Sequence, residues 1–373
     1  MQLKVLTAMI FFSTFSFAQK RSVNVSMVLP FCSKQIIANP NCYNAQLGNL
    51  CREYYQGALL ALDSFERARV SIHLTVFDTE NDSFALLKII QKPIFKESEL
   101  IFGPVTLNHN KVVSSFAKEK GIFHISPLMT FTKTKLADSN FICIHPDIMM
   151  YAKFIFDYIR SISKDTANII VVSDKSSFDH NFTAAFKPLF PTVKTVKVKY
   201  LEYEKNIDII KYLSLNTGNH IIIPSSHEVN VVNVLKSIKD TDDTFLMTTY
   251  GFPHWFEFKD PDYNIWQRMN TTIITPYFVD YDNEQVKKFV MAYREKFYTE
   301  PSEAAFEGYD QMLLLGNENA KNGKQMMMQM ENKMFHGLSS DYIFKRQPEG
   351  NWQNFYLNAV KLDDMKMKKV EDK

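Results

Sequence analysis

The chain has 373 residues, 46% of them apolar and 14% aromatic, with 43 Lys and Arg against 41 Asp and Glu. That balance argues against a partner held by bulk charge, such as nucleic acid or an anionic membrane surface, and the apolar content argues against disorder. The length exceeds what one hydrophobic core usually fills, so two lobes are expected.

Lys4 followed by the apolar run Val5 to Phe17, and the ending Ser16-Phe17-Ala18, predict an export signal cleaved before Gln19. The run is shorter than the roughly 20 apolar residues of a membrane-spanning helix, which disfavours the alternative of a membrane anchor. The expected location is the periplasm. Losing Lys4 with the signal takes the net charge from +2 to +1.

From there β-rich and helical runs alternate. Val23 to Leu29 predicts a buried strand, and a polar Cys/Asn/Pro loop leads to a helix over Cys51 to Arg67 with apolar residues at three- and four-residue spacings. Ser71 to Asp78, Leu100 to Gly103 and Ile122 to Ser126 predict strands, separated by helices over Ser83 to Gln91 and Asn108 to Lys120. This βαβαβαβ order implies a parallel sheet with right-handed crossover helices. A similar run follows. Helices are expected over Ile148 to Ile162, Phe178 to Phe190, Ile207 to Leu215 and His227 to Lys239. Strands between and after them are expected at Asn168 to Ser173, Val193 to Tyr200, His220 to Pro224, Phe245 to Thr249 and Ile273 to Thr275. Two more helices, Asn283 to Phe297 and Ser302 to Asn322, precede strands at Tyr342 to Phe344 and Asn354 to Leu362 joined by a Pro-Glu-Gly turn. The fold class is therefore α/β, with two Rossmann-like parallel-sheet lobes and a ligand cleft off the carboxyl ends of the strands.

Three of the four cysteines, Cys32, Cys42 and Cys51, fall within twenty residues. In an exported chain this predicts one disulfide among them, of unassigned pairing, with Cys143 left as a buried thiol. No CxxC pair or spaced histidines accompany them, so no metal is expected. The methionine run Met326, Met327, Met328, Met330 and Met334 suggests thioether ligation of copper, but an adaptable apolar helix end explains it more simply. There is no GxGxxG, GxxxxGK[ST], GxSxG or HExxH, and glycine is scarce at 11 residues, which disfavours phosphate-cradling loops. No cofactor and no catalytic residue is assigned, and the chain is not expected to be an enzyme.

Several segments together resemble the type I periplasmic binding family, the leucine- and amino-acid-type ABC transporter substrate-binding proteins, with a bacterial envelope variety as the nearest match. They are Met27-Val28-Leu29-Pro30-Phe31, Glu53 to Asp63, Val76-Phe77-Asp78-Thr79, Leu100-Ile101-Phe102-Gly103-Pro104, Ile125-Ser126-Pro127, Gly308-Tyr309-Asp310 and Phe335-His336-Gly337. The resemblance spans essentially the whole chain after the signal. It implies a ligand held at the two strand-end turns of the first lobe, by Pro104, Thr106, Ser126 and Thr130. From the second lobe it implies Phe178 as a lid and Ser226, Tyr250 and Trp255 as further contacts. Tyr250 and Trp255 fit plain lobe packing equally well. Leu107 stands where amino-acid-binding members carry a hydroxyl, a departure that argues against a bare amino acid.

Lobe 1 is expected over 19–141 plus 275–323 and lobe 2 over 142–274 plus 334–362. Residues 363–373 are expected to form a solvated tail, and the hinge crossings to lie near Phe141, Thr275 and Met330. The expected function is an exported solute-binding protein closing on an amino-acid-, peptide- or sugar-like ligand and serving an ABC permease. The alternative is a cell-envelope interaction protein related to activators of peptidoglycan synthases.

Overall fold

The apolar stretch Val23–Leu29 is interrupted only by Asn24 and Ser26 because it is covered on both faces: from Val25 to Leu29 every residue is buried. It forms β1 (Ser22–Leu29) in a computed structural model that describes residues 21–67, 70–128, 139–163, 166–189, 196–241 and 244–370. The expected signal segment and Thr130 lie outside these residues.

After β1 come α1 (Ser33–Ala38), α2 (Ala45–Arg67), β2 (Ser71–Asp78), α3 (Ser83–Ile90) and α4 (Pro93–Lys96). Then follow β3 (Leu100–Phe102), α5 (Leu107–Lys120), β4 (Phe123–Ser126) and β5 (Phe141–Cys143). The next stretch runs α6 (Ile148–Ser163), β6 (Ala167–Ser173), α7 (Ser177–Phe186), β7 (Val196–Glu202), β8 (Asn219–Ile222), α8 (Glu228–Ile238), β9 (Met247–Gly251), α9 (Tyr263–Arg268) and β10 (Thr272–Thr275). The chain continues through α10 (Glu284–Phe297), α11 (Glu303–Asn322), α12 (Met326–Met330), β11 (Met334–His336), β12 (Asp341–Arg346) and β13 (Trp352–Asn354), and ends with β14 (Asn358–Asp363) and β15 (Lys366–Lys369).

Two sheets result. One has the order β11-β12-β13-β5-β4-β3-β1-β2 and the other β15-β14-β10-β9-β8-β6-β7. Pairing is parallel from β2 through β13 in the first and from β7 through β10 in the second, and antiparallel at β11-β12-β13 and β10-β14-β15. Each sheet is buried on both faces: α2, α11 and α12 cover one face of the first and α3, α4 and α5 the other. In the second, α6 and α7 oppose α8 and α9. The fold is thus the expected pair of three-layer α/β lobes.

Helix α11 lies against α2 at two glycines. A Cβ on Gly57 would sit 1.8 Å from the Ala305 carbonyl oxygen, and one on Gly308 would sit 1.9 Å from that of Tyr54. The backbones can approach this closely only because both side chains are missing.

Several expectations are corrected. The Tyr342 to Phe344 strand belongs to the first sheet, not to lobe 2. Trp352 pairs with Ile142 of β5 and donates its indole N–H to the Ser139 carbonyl at 3.0 Å, while Tyr342 and Phe344 enter the first core. The third crossing therefore lies between Asn354 and Asn358 rather than near Met330. Within the expected solvated tail, Lys366–Lys369 instead form β15, hydrogen-bonded along β14. Ile207 to Leu215 is not an α-helix and holds only a single 3-10 turn at Ile210–Tyr212, because the Tyr212 carbonyl accepts from Asn168 Nδ2 at 2.8 Å and only Ile209 of that stretch is fully buried. All four cysteines are free thiols: Cys32 Sγ turns to the Pro30 carbonyl at 3.4 Å, and Cys51 is buried in the α2 core. Met326, Met327 and Met330 pack into the first core, as the apolar reading of the methionine run requires.

Candidate functional site

The parallel strands of the first sheet end at Leu29, Asp78, Phe102, Ser126 and Cys143, and the first crossing leaves the carboxyl end of β5 and reaches α6 in four residues. The second crossing leaves the carboxyl end of β10. Crossings this short place the carboxyl edges of both sheets at the junction between lobes, where open α/β sheets bind ligands.

On the first lobe, Gly103 adopts φ +87°, and a Cβ there would lie 2.3 Å from the Val28 carbonyl oxygen, so only glycine lets the chain turn off β3 at this point. A cis peptide bond joins it to the buried Pro104. Asn110 Nδ2 braces the turn by donating to the Pro104 and Thr106 carbonyls at 2.8 and 3.0 Å. Thr106 is half-buried at the start of α5, and its hydroxyl makes no capping bond. One strand over, His124 Nε2 bonds the Gly103 carbonyl at 3.0 Å, and burial pushes the ring down to about 3, which keeps it neutral. Ser126 ends β4 fully buried, and its Oγ has no hydrogen-bond partner. A buried hydroxyl without a partner costs free energy that a ligand bond would return.

On the second lobe, Asp174 follows β6 and gathers its neighbours. Its Oδ2 accepts from Ser225 Oγ at 2.5 Å, His227 Nδ1 at 2.6 Å and Asn230 Nδ2 at 3.0 Å, and its Oδ1 accepts from the Ser176 N–H at 3.0 Å. Burial alone would raise this carboxyl, but those hydrogen bonds outweigh it and hold Asp174 well below the usual range. His227 is mostly exposed, so a fixed imidazole stands at the strand edge. Beside it, His254 Nε2 bonds the Ser225 carbonyl at 2.9 Å, and burial lowers its pKa. Phe178, half-buried in the first turn of α7, meets His254 and Phe252 edge-on at 5.7 and 5.3 Å.

The expected contacts therefore divide. Pro104, Thr106 and Ser126 gather at the first-lobe strand ends, and Phe178 and the exposed Ser226 at the second. Tyr250 and Trp255 are fully buried. Tyr250 pairs its hydroxyl with His220 Nδ1 at 2.8 Å, and Trp255 donates its N–H to the Ser225 carbonyl at 3.2 Å and packs on Trp266. Both support the second-lobe strand ends from inside. Asp174, Asn230 and His254 were not expected. Only the positions of Asp174 and His254 just after β6 and β9, and of Asn230 in the first turn of α8, could have marked them, because no local motif does.

At the lobe junction, His145 Nε2 lies 3.0 Å from the Pro127 carbonyl and 3.3 Å from Glu307 Oε1. Gln311 Nε2 also donates to the Pro127 carbonyl at 3.2 Å, and the Tyr54 hydroxyl donates to Gln311 Oε1 at 2.8 Å. Burial alone would lower the His145 pKa, but the Glu307 charge and hydrogen bond raise it to about 9.

No family model and no curated protein matches the sequence. Among solved structures, the chain is similar to an ABC transporter substrate-binding protein from Desulfitobacterium hafniense in complex with Leu, at 13% identity and TM-score 0.60, over 94% of this chain and 100% of that one. A branched-chain amino acid ABC transporter periplasmic ligand-binding protein from Burkholderia xenovorans matches at 12% identity and TM-score 0.60, over 94% of each chain. LpoA from Haemophilus influenzae matches at 13% identity and TM-score 0.65, over 95% of this chain and 60% of that one. At such identities the likeness establishes the fold, which is that of type I periplasmic binding proteins.

Proposed function

We propose that the protein is an exported solute-binding protein that closes its two lobes on a small ligand and serves an ABC-transport-type permease, without catalysing a reaction on it. One observation carries this reading. The strand ends of both lobes meet at the junction, and one of them holds Ser126 Oγ, a fully buried hydroxyl with no protein partner. Pro104, Thr106 and Ser126 form the first-lobe wall, and Phe178, Ser226, His227 and His254 the second. A ligand touching both walls favours the closed state by its differential affinity. The leucine-bound neighbour supports a small solute as the ligand.

A thermal-shift screen of metabolites, followed by titration calorimetry, tests the proposal, since a ligand of the native state raises the melting temperature. A hit should lose at least tenfold in affinity in Phe178→Ala and severalfold in Ser126→Ala. Affinity unchanged in both would move the site elsewhere. If no solute shifts the melt and a cell-wall enzyme is retained instead, the interaction-protein reading replaces this one.

A further inference from the structure

Next to the hinge a pocket of about 640 Å³ is bounded by both lobes and by the second crossing. Glu303 and Phe306 at the start of α11 come from the first lobe, Tyr277 and Tyr281 from the crossing, and Phe256 and Lys366 from the second lobe. That volume falls within the roughly 300–1,000 Å³ of small-molecule sites. The walls are rings: Phe256 and Tyr277 lie 6.1 Å apart, and Tyr281 meets Phe306 edge-on at 6.4 Å.

The charges do not balance. Asp280, Asp282 and Glu303 line the pocket against one ammonium, Lys366, which is 3.3 Å from Asp282 and so is already engaged. Glu303 is held by the Tyr277 hydroxyl and faces two further carboxyls, Glu307 on its own helix and Glu257 from the second lobe, while the nearby His145 imidazolium is already paired with Glu307 at 3.3 Å. Burial first, and the Glu307 charge second, push the Glu303 carboxyl up to about 8. Glu303, Glu307 and Glu257 thus share one imidazolium, which leaves negative charge here for a further cation to offset.

We infer that this pocket receives the cationic group of an organic ammonium ligand, with Glu303 as its counter-charge and the rings of Phe256, Tyr277 and Phe306 around it. Aromatic faces attract a desolvated cation through their quadrupoles, and a carboxylate at the same site adds the full charge. Because the walls come from both lobes and the crossing, a cation seated there contacts both sides of the hinge. The inference deepens the solute-binding reading and rests on it, naming the ligand's charge.

Calorimetric titration of the full protein with choline and with benzyltrimethylammonium tests it, with 3,3-dimethylbutan-1-ol as the uncharged match of choline. Both cations are expected to bind saturably and the alcohol at least tenfold more weakly. Glu303→Gln, which keeps the size and the Tyr277 contact, should weaken both cations at least tenfold. Asp280→Asn, at an exposed position whose Oδ1 contact with the Asp282 N–H an amide retains, should weaken them two- to threefold. Equal binding of the alcohol, cation affinity unchanged in both variants, or no cation binding would each overturn the inference. A neutral or anionic solute whose affinity depends on Phe178 and Ser126, found while both cations fail, would overturn the inference and leave the solute-binding reading standing.

Discussion

His145 Nε2 stands 3.3 Å from Glu307 Oε1 and 3.0 Å from the Pro127 carbonyl, so one imidazole ties the first crossing to α11 and to the end of β4. Removing one member of a buried pair strands the other. His145→Ala is expected to lose about 3 kcal/mol of unfolding free energy, by urea titration. A loss under about 0.5 kcal/mol would show that the pair is dispensable.

The same junction sets an alkaline limit. The folded His145 titrates near 9 against an ordinary 6.5, and the folded Glu303 near 8 against 4.5. Both values are raised on folding, so each contribution is complete below the unfolded value and is lost as pH rises through the folded one. Unfolding free energy should therefore fall from about pH 4.5 through 8 on account of Glu303 and from 6.5 through 9 on account of His145, and fall less steeply below pH 8 in Glu303→Gln. Identical slopes in wild type and variant would contradict this.

Gly308→Ala places a methyl 1.9 Å from the Tyr54 carbonyl oxygen, and neither backbone can yield cheaply. A loss of about 3 kcal/mol or more is expected, at or above the upper end of overpacking costs. Gly218→Ala, whose new methyl would come no nearer than 3.5 Å to His220 Nε2, is the control and should stay within about 1 kcal/mol of wild type.

Trp255→Ala should destabilise the protein by about 3–5 kcal/mol, as deletion of a fully buried aromatic does. Under conditions where the variant stays folded, its solute affinity should match wild type within a factor of about three. A selective loss of affinity with unchanged stability would return Trp255 to the ligand wall.

The fold was largely legible because its central strands are mostly apolar and its helices carry three- and four-residue apolar spacing. β1 and β6 read directly for that reason. The closing segment was not. Nothing local in Asn354 to Leu362 says that the chain crosses lobes there, a choice made by Trp352 bonding Ser139 more than two hundred residues earlier. The tail hid β15 because its lysine-rich edge strand has the composition of a solvated end. At the site, the turns at Gly103-Pro104 and Ser126-Pro127 were visible as breakers after strands. By contrast, the Asp174, Ser225, His227 and Asn230 cluster joins residues about fifty positions apart that only the sheet brings together. Tyr250 and Trp255 show the limit of reading aromatics, since the pattern that would stack on a ligand also builds a core.

The thiols give a compact check on the amino-terminal loop. Burial pushes Cys32 up to about 11 and raises Cys51 further, with the Cys32 charge adding to the latter. Four thiols should titrate in the unfolded, unreduced protein, and alkylation of the native protein at pH 8 should mark Cys42, the one half-exposed thiol, before the other three. Two thiols instead of four would establish a disulfide among the four cysteines.

Small-angle X-ray scattering of the protein with and without a saturating solute from the thermal-shift screen measures lobe closure itself. The account predicts a smaller radius of gyration with solute bound, and, at a concentration just sufficient to saturate wild type, a clearly smaller change in Phe178→Ala. A solute that binds wild type tightly and leaves the scattering curve unchanged would contradict it.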